Sequence, residues 1–409
     1  MQHPRLRMRI GLDCRLFSES GVGRYTRNLI NQLQNLDYKN DYVLFVRRKD
    51  REEILNRVQN DNFSIVNADI RWHTLEEQLK FPSIITKENL DLMHFPYFSV
   101  PIFYNKPFVV TIHDLILHHF PTGLASTLPH WLYKLKLIGY KFVISKIAKK
   151  AKKIITVSNA TKSEIIDHLK VEEDKVIVTY EGIDDKIRNS NIEIRNKSKI
   201  INTKTSADKY FLYVGNAYPH KNLDRLLEAL SLLCHPEASA EGSHGILRSA
   251  QNDISLVLVG KEDYFYKRLK GKVKNMNLEK SVKFLGEVSD EELTSLYRNA
   301  LALVVPSLME GFGLPALEAM ANKCLVLASD IASLREIGSD AAIYFDPYNP
   351  KDIAEKMREA CFNDLNHFSE KIKRGLERVK MFSWEKMTRE TLRVYESCVG
   401  RQPKHQVSQ

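Results

Sequence analysis

Short runs of apolar and β-branched residues recur along the chain, separated by stretches with helical spacing. MRIGLD, YVLFVR, LMHFP, FVVTIHD and KIITVS fall in the first half, and YFLYVG, SLVLVG, VKFLG, LALVVPS, CLVLAS and AAIYFD in the second. Strands that are apolar throughout, with helices between them, predict parallel sheets covered on both faces. The chain therefore reads as α/β twice over. The polar, aperiodic segment 188–209 parts the two series. It sets a first domain over residues 1–190, a linker over 191–206 and a second domain over 207–380. Residues 235–253 interrupt a helix-to-strand connection and read as a surface insertion. FSWEKMTRETLRVYESC predicts a final amphipathic helix with an N-cap near Ser383. That helix, within 381–409, is expected to pack back on the first domain, with a polar tail behind it.

Length and composition agree with this division. A chain of 409 residues exceeds the usual single-domain size. With 43% hydrophobic and 27% charged residues, it is an ordinary folded protein and not a disordered one. No run of 18 apolar residues occurs, and MQHPRLRMRI lacks an apolar signal region, so a cytoplasmic address is expected. The five cysteines are scattered and form no Cys-x-x-Cys pair, which argues against a disulfide frame or a zinc site.

Charge adds one feature. The net charge of +10 favours anionic partners. Residues 132–153 carry eight lysines and no acid, interleaved with apolar residues at helical spacing. Two readings stand: a core helix with a solvated lysine face, or a helix lying on an anionic membrane surface, which would place the protein peripherally at the inner face of a membrane. Nucleic acid is not an expected partner, because helix-turn-helix, aromatic RNA-binding and zinc signatures are missing.

Candidate chemistry sits where strands pass into helices. After the first strand, Gly21 and Gly23 precede a helix; they read either as a plain turn or as a place where backbone N–H groups approach an anion. The pattern lacks the third glycine of a dinucleotide fingerprint. In YVGNAYPHKNLDRLLEAL, Lys221 stands at the mouth of a helix, where it opposes the helix dipole unless an anion is shared there. In VVPSLMEGFGLPALEAM, Glu310 precedes a glycine turn, Pro315 suits a first helical turn, and Glu318 is read onto that same turn. The helix terminus between the acids is a seat for a pyrophosphate, with the carboxylates placed for hydroxyl groups on either side. A ligand of hydroxyls, diphosphate and hydroxyls is a nucleotide sugar.

The stretch EGFGLPALE resembles the Glu-x7-Glu pattern of the retaining glycosyltransferases of family 4, and TIHDL, ITVSNATKSEI, YEGID, FLGEVSDEEL and FSWEK extend the likeness over nearly the whole chain. It looks closest to the mannosyltransferase-like branch. The resemblance implies two Rossmann-like parallel-sheet domains facing across a cleft, the glycosyltransferase B-type fold. It also implies roles. Glu318 resembles the acid on the donor ribose and Glu310 the acid on the transferred hexose. Gly311, Phe312 and Gly313 match the loop that holds the sugar, and Leu314 begins the diphosphate-binding helix. Lys221 matches the diphosphate lysine, His113 the histidine beside the reacting sugar, and Gly286 to Val288 the loop next to the base. Asn216 departs from the arginine of many relatives, with His220 or Arg24 as candidate replacements.

The implied reaction is transfer of a hexose with retention, from GDP-mannose as first choice and UDP-hexose as second, to a glycan or lipid-linked acceptor. Lys221 and the helix start would stabilise the leaving diphosphate. No Asp-x-Asp motif is present, so a metal-free site without a cofactor is expected. Asp114 reads as a turn residue, and Glu336, Arg335 and the acids at 290–292 as solvated or capping charges. A nucleotide-sugar epimerase of related architecture is the alternative.

Overall fold

The computed structural model describes residues 7–19, 21–121, 129–184, 187, 209–234, 254–363 and 365–400. The expected linker 191–206 and insertion 235–253 lie outside the described residues, as does the tail from residue 401. The chain divides into two compact units, one running to Gly182 and resuming at Phe382, the other spanning Ile183–Met381.

The first unit runs β1 (Arg9–Asp13), α1 (Gly21–Leu36), β2 (Asp41–Val46), α2 (Arg51–Arg57), β3 (Phe63–Asn67), α3 (Leu75–Lys87), β4 (Leu92–Phe95), β5 (Phe108–Ile112), α4 (Ile116–His119), α5 (His130–Lys150), β6 (Lys153–Thr156), α6 (Asn159–Leu169) and β7 (Val176–Val178). Its strands form one seven-stranded sheet in the order β3-β2-β1-β4-β5-β6-β7. All pairings are parallel; Ile10 of β1 stands between Tyr42 and Leu92. The inner strands β4 and β5 are buried at every residue, as continuous apolar runs require. The outermost strands, β3 and β7, are the two that hydrophobic runs did not predict. β3 is paired on one side only and none of its residues is fully buried, so it lacks the continuous apolar signal.

The second unit runs β8 (Lys209–Val214), α7 (Leu223–Cys234), β9 (Ile254–Val259), α8 (Tyr264–Asn275), β10 (Val282–Gly286), α9 (Asp290–Asn299), β11 (Ala302–Val305), α10 (Leu314–Ala321), β12 (Val326–Ser329), α11 (Ala332–Gly338), β13 (Ile343–Phe345), α12 (Pro350–Phe362) and α13 (Ser369–Val379). Its parallel sheet has the order β10-β9-β8-β11-β12-β13. Leu226, Leu230 and Leu233 of α7 join Leu256 and Leu258 of β9 and Ile353 and Met357 of α12 in one core. At α9, Ser289 and Glu292 form a reciprocal capping box, which gives one of the 290–292 acids its capping role.

The last helix, α14 (Trp384–Cys398), belongs to the first unit and packs on α1. Ser383 caps it by accepting from the Lys386 N–H at 3.1 Å. Tyr395 reaches into the sheet, where its hydroxyl is 2.6 Å from Nδ1 of His94. Among the described residues, no helix is long and apolar enough to cross a membrane.

Candidate active site

The strand order of the second sheet determines which loops meet. β8 lies beside β11, so the loops leaving their carboxyl ends, although far apart in sequence, open at one point of the sheet edge. Ligands of open parallel sheets bind at such a point. From β8 the chain enters a tight turn, Pro219–Lys221, before α7. From β11 it passes Ser307 and Glu310 before α10.

Two bonds tie these loops together, and a third reaches the loop after β13. Asn222, held at a positive φ of 59°, donates its side-chain N–H groups to the carbonyls of Pro306 at 2.9 Å and Pro347 at 2.7 Å. The Leu308 N–H donates to the His220 carbonyl at 2.7 Å. The result is a fixed position for Lys221, whose ammonium is 2.7 and 2.8 Å from the two carboxylate oxygens of Glu310. The Ser307 hydroxyl donates to the same carboxylate at 2.7 Å. Burial pushes the Glu310 carboxyl up, but Lys221 and Ser307, helped by His220, outweigh it and hold the pKa below the ordinary value. The anion that a lysine at this helix mouth calls for is thus supplied by Glu310.

Gly313 caps α10 without any side-chain acceptor and adopts φ +110°. A Cβ there would lie 2.8 Å from Leu334 Cδ2, a side-chain end that can shift, so it is the backbone conformation that calls for glycine. The helix start at Leu314 is therefore left without a side-chain cap, as an anion seat requires. Gly311 is half-buried and Phe312 buried beside this turn. Glu318 departs from the sequence reading. It is the fifth residue of α10, past the first turn, and is only 1% exposed, with its carboxylate accepting from the Tyr297 hydroxyl at 2.8 Å. With 3.6 residues per turn, it stands at the start of the second turn and not in the first.

Asn216 accepts from the Tyr218 N–H through its side chain, at 3.2 Å. His220 supplies no replacement charge: burial, with Lys221 beside it, lowers its pKa to about 4, so it is neutral at pH 7. Arg24 is half-buried in the first turn of α1. Gly286 ends β10 with φ +74°, and Val288 behind it is half-buried.

In the first unit, the glycine pair does not precede the helix as expected: both residues lie in the first turn of α1. A Cβ on Gly23 would lie 2.4 Å from the Phe17 carbonyl, so this glycine makes room for the chain's own backbone, while Gly21 meets nothing within 4 Å. His113 follows β5. Its Nε2 is 2.9 Å from the Pro96 carbonyl and its Nδ1 is 3.4 Å from Glu181 Oε1. Asp114 turns the backbone by accepting from the Ile116 N–H at 3.0 Å. Sequence reasoning missed Ser307, Tyr297, Asn222 and Glu181. Only Ser307 had a local signal, lying three residues before Glu310 at a strand end.

Along α5, Trp131, Leu135, Ile138 and Phe142 are 63%, 58%, 66% and 59% exposed. The inward face carries Ile144, Ile147 and Ala148. The helix is therefore apolar on a second, outward stripe with lysines on its flanks. Among the described residues, no group of three His, Cys, Asp or Glu side chains is placed to hold a metal ion.

Residues 20–186 match the family model described as Glycosyltransferase Family 4, and residues 194–375 the model described as Glycosyl transferases group 1. The chain is 27% identical to the O-antigen chain mannosyltransferase RfbU of Salmonella typhimurium, over 77% of this chain and 76% of that one. It is 29% identical to O-antigen chain mannosyltransferase B of Escherichia coli, over 74% of each. The Anabaena protein HepE in complex with UDP-glucose shares the fold, with a TM-score of 0.71 at 16% identity, covering 95% of this chain and all of that one.

Proposed function

Since the chain belongs to the glycosyltransferases of family 4, with the B-type fold and a mannosyltransferase-like sequence, we propose that it transfers mannose from GDP-mannose, with retention of configuration, to a glycan or lipid-linked acceptor of a cell-surface polysaccharide. UDP-hexose is the second donor choice. The observation that carries the reading is the Lys221–Glu310 pair beside the uncapped start of α10. The two O-antigen mannosyltransferases favour mannose.

In this proposal the second unit holds the donor. Lys221 and the N–H groups at Leu314 take the diphosphate, Glu310 and the 311–313 loop the hexose, Glu318 the ribose, and the turn from Gly286 to Val288 the base. His113 lies beside the reacting sugar, and Gly21 and Gly23 shape the loop at the start of α1. As the bond from the anomeric carbon to the leaving oxygen breaks, charge grows on the diphosphate; a fixed ammonium and helix N–H groups stabilise it without a metal. The acceptor hydroxyl forms the new bond from the face being vacated, and a diphosphate oxygen takes its proton. The outward stripe of α5 with its lysines supports attachment to an anionic membrane at the inner face, which would bring a lipid-linked acceptor within reach.

Thermal unfolding against a panel of GDP- and UDP-sugars tests the donor. A ligand at 100 times its dissociation constant stabilises the fold by about 2.7 kcal/mol. Stabilisation by UDP-hexoses and not by GDP-mannose would overturn the mannose reading. Release of nucleoside diphosphate only when an acceptor is present separates transfer from epimerisation.

A further inference from the structure

His113 sits at the end of β5 with its side chain 13% exposed, and both ring nitrogens are engaged within the first unit. The Pro96 carbonyl at Nε2 can only accept, and so can an ionised Glu181 carboxylate at Nδ1. With Nε2 donating to the carbonyl, a carboxylate 3.4 Å from Nδ1 stands at ion-pair distance and favours the imidazolium form. Tyr25 closes the ring's flank edge-on, with centroids 4.9 Å apart and planes at 85°. Glu181 is itself 6% exposed.

We propose that Glu181 is a positioning residue for the transfer reaction: by facing Nδ1 it holds His113 as an imidazolium, which acts on the reacting sugar as a fixed positive charge and not as a proton acceptor. This rests on the reading that His113 lies beside that sugar. The other groups around the ring agree with it. Asp114 on the same loop adds negative charge. From β4, His94 is buried and neutral, with its pKa lowered to about 3. From α1, the Tyr25 hydroxyl is pushed up to about 12 by burial. From α6, Thr161 donates to the His113 carbonyl at 3.5 Å. Burial opposes charge on His113, but Glu181, the Pro96 carbonyl and Asp114 overcome it and hold its pKa above the ordinary value.

The test is ring-nitrogen NMR of His113 in the free protein, for wild type, Glu181→Gln and Glu181→Asp, alongside kcat and KM against pH. In wild type both nitrogens stay protonated to higher pH than in a free imidazole. In Glu181→Gln the His113 pKa falls by at least about one unit. Its kcat falls roughly 10- to 100-fold, with KM for the donor nearly unchanged, and the kcat profile gains an ionisation near neutrality. Glu181→Asp, which keeps the charge, recovers part of both. An unchanged ring titration in Glu181→Gln overturns the proposal, and so does a shifted titration with unchanged kcat. A wild type inactive on every nucleotide sugar would instead count against the transferase reading, while the ring titration still decides the pairing.

Discussion

Lys221 reaches Glu310, 89 positions further along the chain, and touches both of its carboxylate oxygens, at 2.7 and 2.8 Å. The side chains are 16% and 14% exposed, so neither charge could stand there alone at low cost. In the proposed reaction, an arriving diphosphate competes with Glu310 for the ammonium, and the released carboxylate turns to the sugar hydroxyls. The pair is then the resting form of the donor site.

Lys221→Ala is expected to lose about 3 kcal/mol of stability, because it strands the Glu310 charge. It should also lose roughly 10²- to 10³-fold in kcat. Adding Glu310→Gln to it should restore much of the stability but not the transfer. Chemical denaturation and turnover of the single and double variants check this; recovery of turnover would remove Lys221 from the chemistry.

The same pair sets an acid limit. The Glu310 pKa is lower folded than unfolded. Its stabilisation is therefore present above the ordinary glutamate value of about 4.3 and is lost as pH falls through the folded value. His220, at about 4, and His94, at about 3, act in the same direction. Both stay neutral when folded, while the unfolded chain takes up protons below about pH 6.5. Tm should drop steeply from pH 6 towards pH 4, and Glu310→Gln should soften the lower part of that fall.

His113 has the opposite sign. Its raised pKa gives stability that is full below about 6.5 and fades as pH rises through the folded value. Tm of Glu181→Gln, compared with wild type, should differ most below neutrality and least at alkaline pH.

The two glycines in the first turn of α1 should part company. Gly23→Ala forces a Cβ against the Phe17 backbone, where no side chain can move aside, and should cost at least about 2 kcal/mol. Gly21→Ala meets open space and should leave stability within about 0.5 kcal/mol. A raised donor KM in Gly21→Ala at unchanged Tm would tie that turn to ligand binding.

For α5, serine at Leu135, Ile138 and Phe142 should weaken binding to anionic vesicles and leave the fold intact, since all three are exposed. Flotation of wild type and variant with vesicles containing anionic lipid, at low and high salt, reads both contributions. Equal flotation of the two proteins would remove the apolar stripe from the membrane reading.

The inner strands were legible because a strand buried on both faces is apolar at every position, as β4 and β5 are. β3 was not, because an edge strand has one neighbour and a wet side. Lys221, Glu310 and the helix start at Leu314 could be picked out separately, since each breaks a local rule: a cation at a helix mouth, an acid before a glycine turn, a cap without a side chain. Their meeting came only from the family resemblance and not from the residues themselves, because it depends on β8 lying beside β11. Glu181 was hidden for the same reason. Nothing near it in sequence needs a carboxylate, and its partner is 68 positions earlier, counting from 113 to 181.

The return of α14 to the first unit governs the order in which the protein can be made. Trp384, Met387, Val394 and Tyr395 are buried, and Tyr395 meets His94, which is 301 positions earlier in the chain and leaves the ribosome that much sooner, at synthesis rates of about 5–20 residues per second. The half begun first is thus finished last, and it must wait for the later half with a bare apolar seam, a natural landing place for a chaperone.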